Sequence, residues 1–289
     1  MRLFIVKIFI LSLLTMSIQE VSAHKKIETN NGILLVTFGT SYPEARVAFA
    51  NIEKKVKDAF PDVEVRWAYT SKIIRRILKK RGNNIDSPSE ALAKMGEEGF
   101  THIAVQSLHV IPGEEFENLK LTVNAFNKMP KGIQIAKLGN PLLFLDEDNQ
   151  AMASFLDGKF ADITNSKSAL LFMGHGTHHA ANIYYPGFQY YLQQKSDKYF
   201  LGTVEGYPML EQIIPQLKAQ KIKKVVLTPF MTVAGDHARN DMAGDEDDSW
   251  KTILEKEGFE VECILKGMAE YDDVVNIWIN HLKKVYENL

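Results

Sequence analysis

A recurring unit narrows the choice of fold more than any other feature of the chain: a short continuous apolar run, a polar or glycine-bearing corner, then a stretch of helical periodicity. GILLVTF (32–38) is the first run, and a helix from about Ser41, with Pro43 near its first turn, to Phe60 follows it. VEVRWAY (63–69) leads into a helix begun by Ser71, and Ser87-Pro88 opens another that stops before Gly99. THIAVQSL (101–108), a helix from Glu114 to Met129, and IQIAKLG (133–139) complete the first half. The second half repeats the plan with ALLFM (169–173), YFLGTV (199–204), KKVVLTPF (223–230) and FEVECIL (259–265). Its helical patterns fall at about 182–194, 207–219, 247–257 and 270–287, and Pro215 is expected to kink or split the second of these. Strands that are apolar throughout are buried on both faces, so the fold class is α/β, with parallel sheets flanked by helices.

The halves also match at their strand ends. Leu34-to-Thr40 (LLVTFGT) lies over Leu171-to-Thr177 (LFMGHGT) at an offset of 137, and Val110-to-Glu115 (VIPGEE) over Thr232-to-His237 (TVAGDH). Two matches in the same order point to an internal duplication. They predict two similar α/β domains, 24–145 and 146–289, joined near residues 140–150, with a cleft between their strand ends. Glu115 then stands in the first domain where His237 stands in the second.

The N-terminus reads as an address. Arg2 and Lys7, an apolar run from Ile8 to Leu14, and Val21-Ser22-Ala23 form a secretory signal with cleavage expected after Ala23, and the apolar run is too short for a membrane anchor. The mature chain is expected outside the cytoplasm, in a periplasm or otherwise exported, with no stable membrane insertion. Removing residues 1–23 takes Arg2, Lys7 and Glu20 from 34 basic and 36 acidic groups, leaving 32 against 35 and a net charge of −3. That balance argues against nucleic acid as a partner. The single cysteine, Cys263, excludes an intrachain disulfide and reads as a small buried hydrophobe.

Three chemically competent groups follow apolar runs in the second half. His175 lies in GHGTHH, between glycines that permit a tight turn and close approach of a ligand. Glu205 lies in VEGYP and His237 in AGDHA. In α/β folds the carboxyl ends of strands carry the chemistry. Two imidazoles and a carboxylate suit a borderline divalent ion such as cobalt, zinc, nickel or iron, with positions left open for a substrate. Taken singly each has a plainer role: a histidine at a strand end is usually just hydrogen-bonded, and Glu205 also suits the start of the next helix. Asp236 is a candidate partner for His237, and Asp247 or Asp248 a candidate cap for the helix of Trp250. Tyr184, Tyr185, Phe188, Tyr190 and Tyr191 crowd one segment, some to pack the core and some to wall a flat aromatic ligand.

The strings GILLVTFGTSYPEAR, QSLHVIPGEEF, GHGTHH, VEGYP and VAGDHARNDMAGDEDDSW resemble the anaerobic-type sirohydrochlorin cobaltochelatases, from about residue 32 to the C-terminus. The resemblance implies a class II chelatase fold with a tetrapyrrole bound between the domains. It also implies ATP-independent insertion of Co(II) into sirohydrochlorin, as in anaerobic cobalamin synthesis, with no nucleotide; Fe(II) and Ni(II) are the other metals to consider. The family's metal-site residues fall on His175, Glu205 and His237, with His175 as principal ligand and proton acceptor. His178 stands where the family commonly has glutamate.

For the ring's peripheral carboxylates, Arg46, Lys72 and Arg239 supply charge, Thr40, Ser41, Ser71 and Ser107 supply hydroxyls, and Tyr184 is a candidate wall. An exported chain and a cytoplasmic pathway intermediate do not sit together easily. A chelatase or dechelatase acting on haem or another porphyrinoid, and a non-catalytic haem- or metal-binding carrier, are therefore the alternatives. A homo-oligomer is compatible with the sequence.

Overall fold

The computed structural model describes residues 28–289. The proposed signal segment and its cleavage point after Ala23 lie outside the described residues. Among the described residues no helix is long and apolar enough to cross a membrane.

The first sheet comprises β1 (Asn31–Thr37), β2 (Glu64–Tyr69), β3 (His102–Ser107) and β4 (Ile135–Gly139), parallel throughout in the order β2-β1-β3-β4. The second comprises β5 (Ser168–Gly174), β6 (Tyr199–Thr203), β7 (Lys224–Pro229) and β8 (Glu260–Cys263), parallel in the order β6-β5-β7-β8. The orders are identical, and the offsets read from the sequence recur in the backbone. β5 begins 137 residues after β1, and β7 begins 122 after β3, the same interval that separates His237 from Glu115.

Nine α-helices connect the described strands: α1 (Val47–Ala59), α2 (Lys72–Lys80), α3 (Pro88–Glu97), α4 (Glu114–Ala125), α5 (Asp146–Phe160), α6 (Tyr184–Gln193), α7 (Leu210–Ala219), α8 (Trp250–Lys256) and α9 (Asp272–Tyr286). Where caps are present the ends are sharp. Ser87 Oγ accepts from the Glu90 amide at 3.3 Å while Glu90 takes the Ser87 amide at 2.7 Å, with Pro88 leading α3.

The alternation of side chains along each central strand divides the core. Ile33 and Leu35 of β1 join Leu170 and Phe172 of β5 in one apolar cluster shared by both sheets. Leu34 and Val36 face a separate outer cluster, as do Ala169, Leu171 and Met173 on the other sheet. α9 packs against β3 and β4 of the first sheet, crossing the division drawn at residues 145/146. It is fastened there by His281, buried, whose Nε2 lies 2.9 Å from Asp148 Oδ1 and whose Nδ1 lies 3.1 Å from the Asn140 carbonyl.

Several local expectations change. The stretch near 140–150 is the start of α5, not only a joint: Met152, Leu156 and Phe160 recur at helical spacing and are buried, and Asp148 takes the Leu145 amide at 2.9 Å. α4 stops at Ala125, short of Met129. Asn127 turns its side chain onto Val123 and onto both backbone groups of Ala136, and Lys128 adopts φ 60°. Pro215 does not split α7, because Ile213 and Leu217 on either side of it are buried and hold the helix on the sheet. Ser249, not Asp247 or Asp248, caps α8, accepting from the Thr252 amide at 3.1 Å. Lys256 takes Asp247 instead. Cys263 is half-buried against the outer cluster of the second sheet, and burial pushes its thiol up.

Candidate metal centre

Three successive strands of the second sheet end in the three candidate ligands. β5 delivers His175, β6 delivers Glu205 two residues past Thr203, and β7 is followed by the loop that carries His237. The Glu205 amide donates to the His175 carbonyl at 2.8 Å, extending the β5–β6 ladder just far enough to bring the two side chains together. Each residue offers one ligand atom, and the three atoms lie within 4.8 Å of one another. The imidazole centroids of His175 and His237 are 4.5 Å apart at 86°, and Glu205 Oε2 lies 3.7 Å from His175 Nδ1.

Two glycines make this approach possible. At Gly174 a Cβ would come within 2.5 Å of the Tyr185 ring, which is buried beneath the turn. At Gly176 φ is +81°, and a Cβ would meet the Gly206 amide at 2.5 Å. Burial pushes the Tyr185 phenol up to about 12, with the nearby Gly176 and His175 backbone pulling the other way, so it remains a neutral packing group.

The hydrogen-bond partners of the imidazoles fix which nitrogen is free. His237 Nδ1 is 2.6 Å from Asp241 Oδ2, which orients the ring and leaves Nε2 with its lone pair. His175 Nδ1 lies 3.0 Å from the Gly176 carbonyl, which likewise accepts a proton from it. The carboxylate behind His237 is therefore Asp241, four residues on, and not Asp236. Asp236 instead accepts from Tyr42 Oη at 2.7 Å and from Asn240 Nδ2 at 2.9 Å. A His and an Asp at i and i+4 share a helical face, and the single π-helical turn Ala238–Met242 provides one.

The first sheet's loops reach this centre without adding a ligand. Phe38, at the end of β1, has its ring centroid 6.2 Å from that of His175. Tyr42 crosses to the second half through Asp236, and the Arg239 guanidinium sits 5.6 Å over its ring. Neither Phe38 nor Tyr42 stood out in the sequence, although Phe38 occupies the place of His175 in the aligned repeat.

The residues suggested for ring contacts fare unevenly. Ser71 is buried and caps α2, accepting from Ile74, and Ser107 is buried with its Oγ 2.8 Å from His109 Nδ1; both hydroxyls are committed to the protein. Thr40 is buried and accepts from the Tyr42 amide at 3.1 Å, and the Ser41 carbonyl is held by Arg81 at 2.6 Å. Tyr184 is partly packed against the shared core. Arg46 and Arg239 are half-buried near the two strand ends, Arg239 also donating to the Ala234 carbonyl at 3.2 Å. His178 is exposed, and His179 accepts from the Ala181 amide at 3.2 Å.

Known proteins resemble this chain over most of its length. Residues 31–287 match the family model described as cobalt chelatase (CbiK). The sirohydrochlorin cobaltochelatase CbiKC of Nitratidesulfovibrio vulgaris is 38% identical over 254 residues, covering 88% of this chain and 90% of the relative. The sirohydrochlorin cobaltochelatase of Salmonella typhimurium is 32% identical over 252 residues, covering 86% and 94%. Among solved structures, SirB from Bacillus subtilis with Fe3+ superposes at a TM-score of 0.58 and 17% identity, covering 90% of this chain and 97% of that one. CbiX, described as the terminal enzyme of siroheme biosynthesis in denitrifying bacteria, superposes at 0.53 and 14% identity, covering 88% and 98%. These two likenesses show the class II chelatase fold. With nearly the whole described chain matched, the protein belongs to the cobalt chelatase (CbiK) family.

Proposed function

We propose that the protein inserts Co(II) into sirohydrochlorin without a nucleotide, holding the incoming metal on His175, Glu205 and His237 between the two halves. The convergence of those three ligand atoms within 4.8 Å carries the reading, supported by the names of the relatives at 38% and 32% identity. Cobalt is the substrate metal here and sirohydrochlorin the substrate ring. An open site with three protein donors can take a metal and release it, whereas four closed donors make a structural site.

Insertion exchanges two pyrrole N–H protons for one dication. The ring's charge is conserved, so the chain must take up or pass on two protons as it gives up the metal. His175 Nε2 is the proposed acceptor of one proton once the metal has left it for the ring, since its Nδ1 is occupied by the Gly176 carbonyl, and the second proton passes by way of Glu205 to water. Glu205, with a side chain 51% exposed, offsets the metal's charge and gives protons a route to water. His237, locked by Asp241, is the proposed fixed ligand. Arg46 and Arg239 are the proposed partners of the ring's carboxylates. Residues 1–23 are proposed as a cleaved secretory signal, which would place this reaction outside the cytoplasm.

The test is to purify the exported form and incubate it with sirohydrochlorin and, separately, with protoporphyrin, each with Co(II), Fe(II) or Ni(II), following the visible spectrum without nucleotide. Multiple turnovers with Co(II) support the proposal. A stoichiometric spectral change without turnover would replace it with a carrier, and turnover only of a different porphyrinoid with a chelatase of that ring.

A further inference from the structure

Duplicated halves allow each position of the metal centre to be compared with its mate. The match is one of backbone bonds as well as of strand order. The Glu205 amide donates to the His175 carbonyl at 2.8 Å, and in the first half the Ser71 amide donates to the Phe38 carbonyl at 3.3 Å. One residue earlier, Val204 donates to Gly174 at 3.1 Å and Thr70 to Thr37 at 2.9 Å. Gly39 and Gly176, directly after the paired residues, both turn at positive φ, +98° and +81°. Phe38 and His175 are therefore the same position of the same unit.

These mates also meet. Their ring centroids are 6.2 Å apart, so the side chain of Phe38 borders the ligand cluster from the opposite half. Ser71, the mate of Glu205, directs its hydroxyl to the start of α2. Of the two, only Phe38 has its side chain against a candidate ligand, and a phenyl ring has no lone pair to give. Phe38 is 42% exposed beside His175, an apolar surface at the edge of the site.

We propose that Phe38 is a specificity-determining residue: it fills the position that the fold's own symmetry would make a fourth ligand, keeping the site at three protein donors so that a bound ion remains transferable. The proposal rests on the reading that His175, Glu205 and His237 bind the metal. A donor at 38 would close the site toward the structural kind, which retains its ion. A bulky apolar residue without a flat ring would leave metal binding as it is.

The experiment titrates Co(II) alone, anaerobically, into the full chain and into Phe38→His, Phe38→Asp and Phe38→Leu, reading affinity and the visible bands of the bound ion. Both donor variants are expected to bind Co(II) about tenfold tighter or more, with a changed spectrum, and to transfer it more slowly to free sirohydrochlorin in a single turnover. Phe38→Leu is expected to bind Co(II) as the parent does. Two folded donor variants with parental affinity and spectrum would overturn the proposal. If the parent binds Co(II) at the three ligands yet never inserts it into sirohydrochlorin, the reading of function fails while the affinity comparison still decides the role of Phe38. A parent that binds no Co(II) would overturn both.

Discussion

The carboxyl ends of the two sheets are built on one backbone plan and finished with different side chains. In the second half the positions after β5, β6 and β7 carry His175, Glu205 and His237, grouped within 4.8 Å. In the first half the mates are Phe38, Ser71 and Glu115, of which one is a phenyl and one a helix cap. The strand ends and glycine turns were therefore the common platform, and chemistry is a property of which half received donors.

The largest effect expected is on the donor-bearing half. His175→Ala should lower the rate of cobalt insertion by about a hundredfold or more, read as initial rates of sirohydrochlorin metallation, while Glu115→Ala in the other half should leave the rate near parental. A His175→Ala protein as active as the parent would erase the contrast.

Next comes the seam joining the halves. His281 presents both ring nitrogens to acceptors, the Asn140 carbonyl and Asp148, in a buried setting. Burial alone would push the Asp148 carboxyl up, but hydrogen bonds from His281 and the Leu145 amide outweigh it and hold it below the usual carboxylate range. His281→Ala strands that carboxylate and should cost about 3 kcal/mol or more in chemical denaturation. Because the Asp148 pKa is depressed on folding, its contribution is present above the unfolded value and is lost as pH falls through the folded one.

Asp241→Asn should weaken Co(II) binding by about tenfold or more, since it removes the carboxylate that orients His237. Asp236→Asn, which loosens the tie to Tyr42 instead, should change Co(II) affinity far less, and equal losses in the two variants would contradict the assignment.

A smaller effect separates the halves by pH. His109, in the loop after β3, is the mate of Met231; burial holds its imidazole down to about 4, and its Nε2 finds no hydrogen-bond partner among the described residues. Between pH 6.5 and about 4 the unfolded chain takes up a proton that the folded chain refuses. Stability should therefore decline as pH falls through that window, by at most about 3 kcal/mol. In His109→Gln that part of the pH dependence should vanish.

The elements legible in the sequence were those whose signal is periodic or terminal. The central strands β1, β3, β5 and β7 fall on continuous apolar runs, while β2, β4 and β8 carry charged residues and are legible from their β-branched and aromatic residues and their place between helices; the three candidate ligands stand out because each lies beyond a strand run and close to a glycine. α5 is hard to read because its first turn is acidic and Gly158 sits inside it, which masks the Met152, Leu156 and Phe160 stripe. The return of α9 to the first sheet depends on His281 finding Asp148 and Asn140, contacts that no spacing announces. Hydroxyls were the least legible part of the candidate site. Ser71 and Ser107 stand at first-sheet strand ends equivalent to those that carry the candidate ligands in the second, but a hydroxyl near a free amide or an imidazole is captured locally, as both are here.

X-ray absorption at the cobalt edge of the Co(II)-loaded full chain tests the central claim most directly. The account predicts scattering from two imidazoles and an oxygen donor, with one imidazole lost in His175→Ala and both lost in the His175→Ala, His237→Ala double variant. A cobalt environment without imidazole, or one unchanged in the double variant, would contradict it.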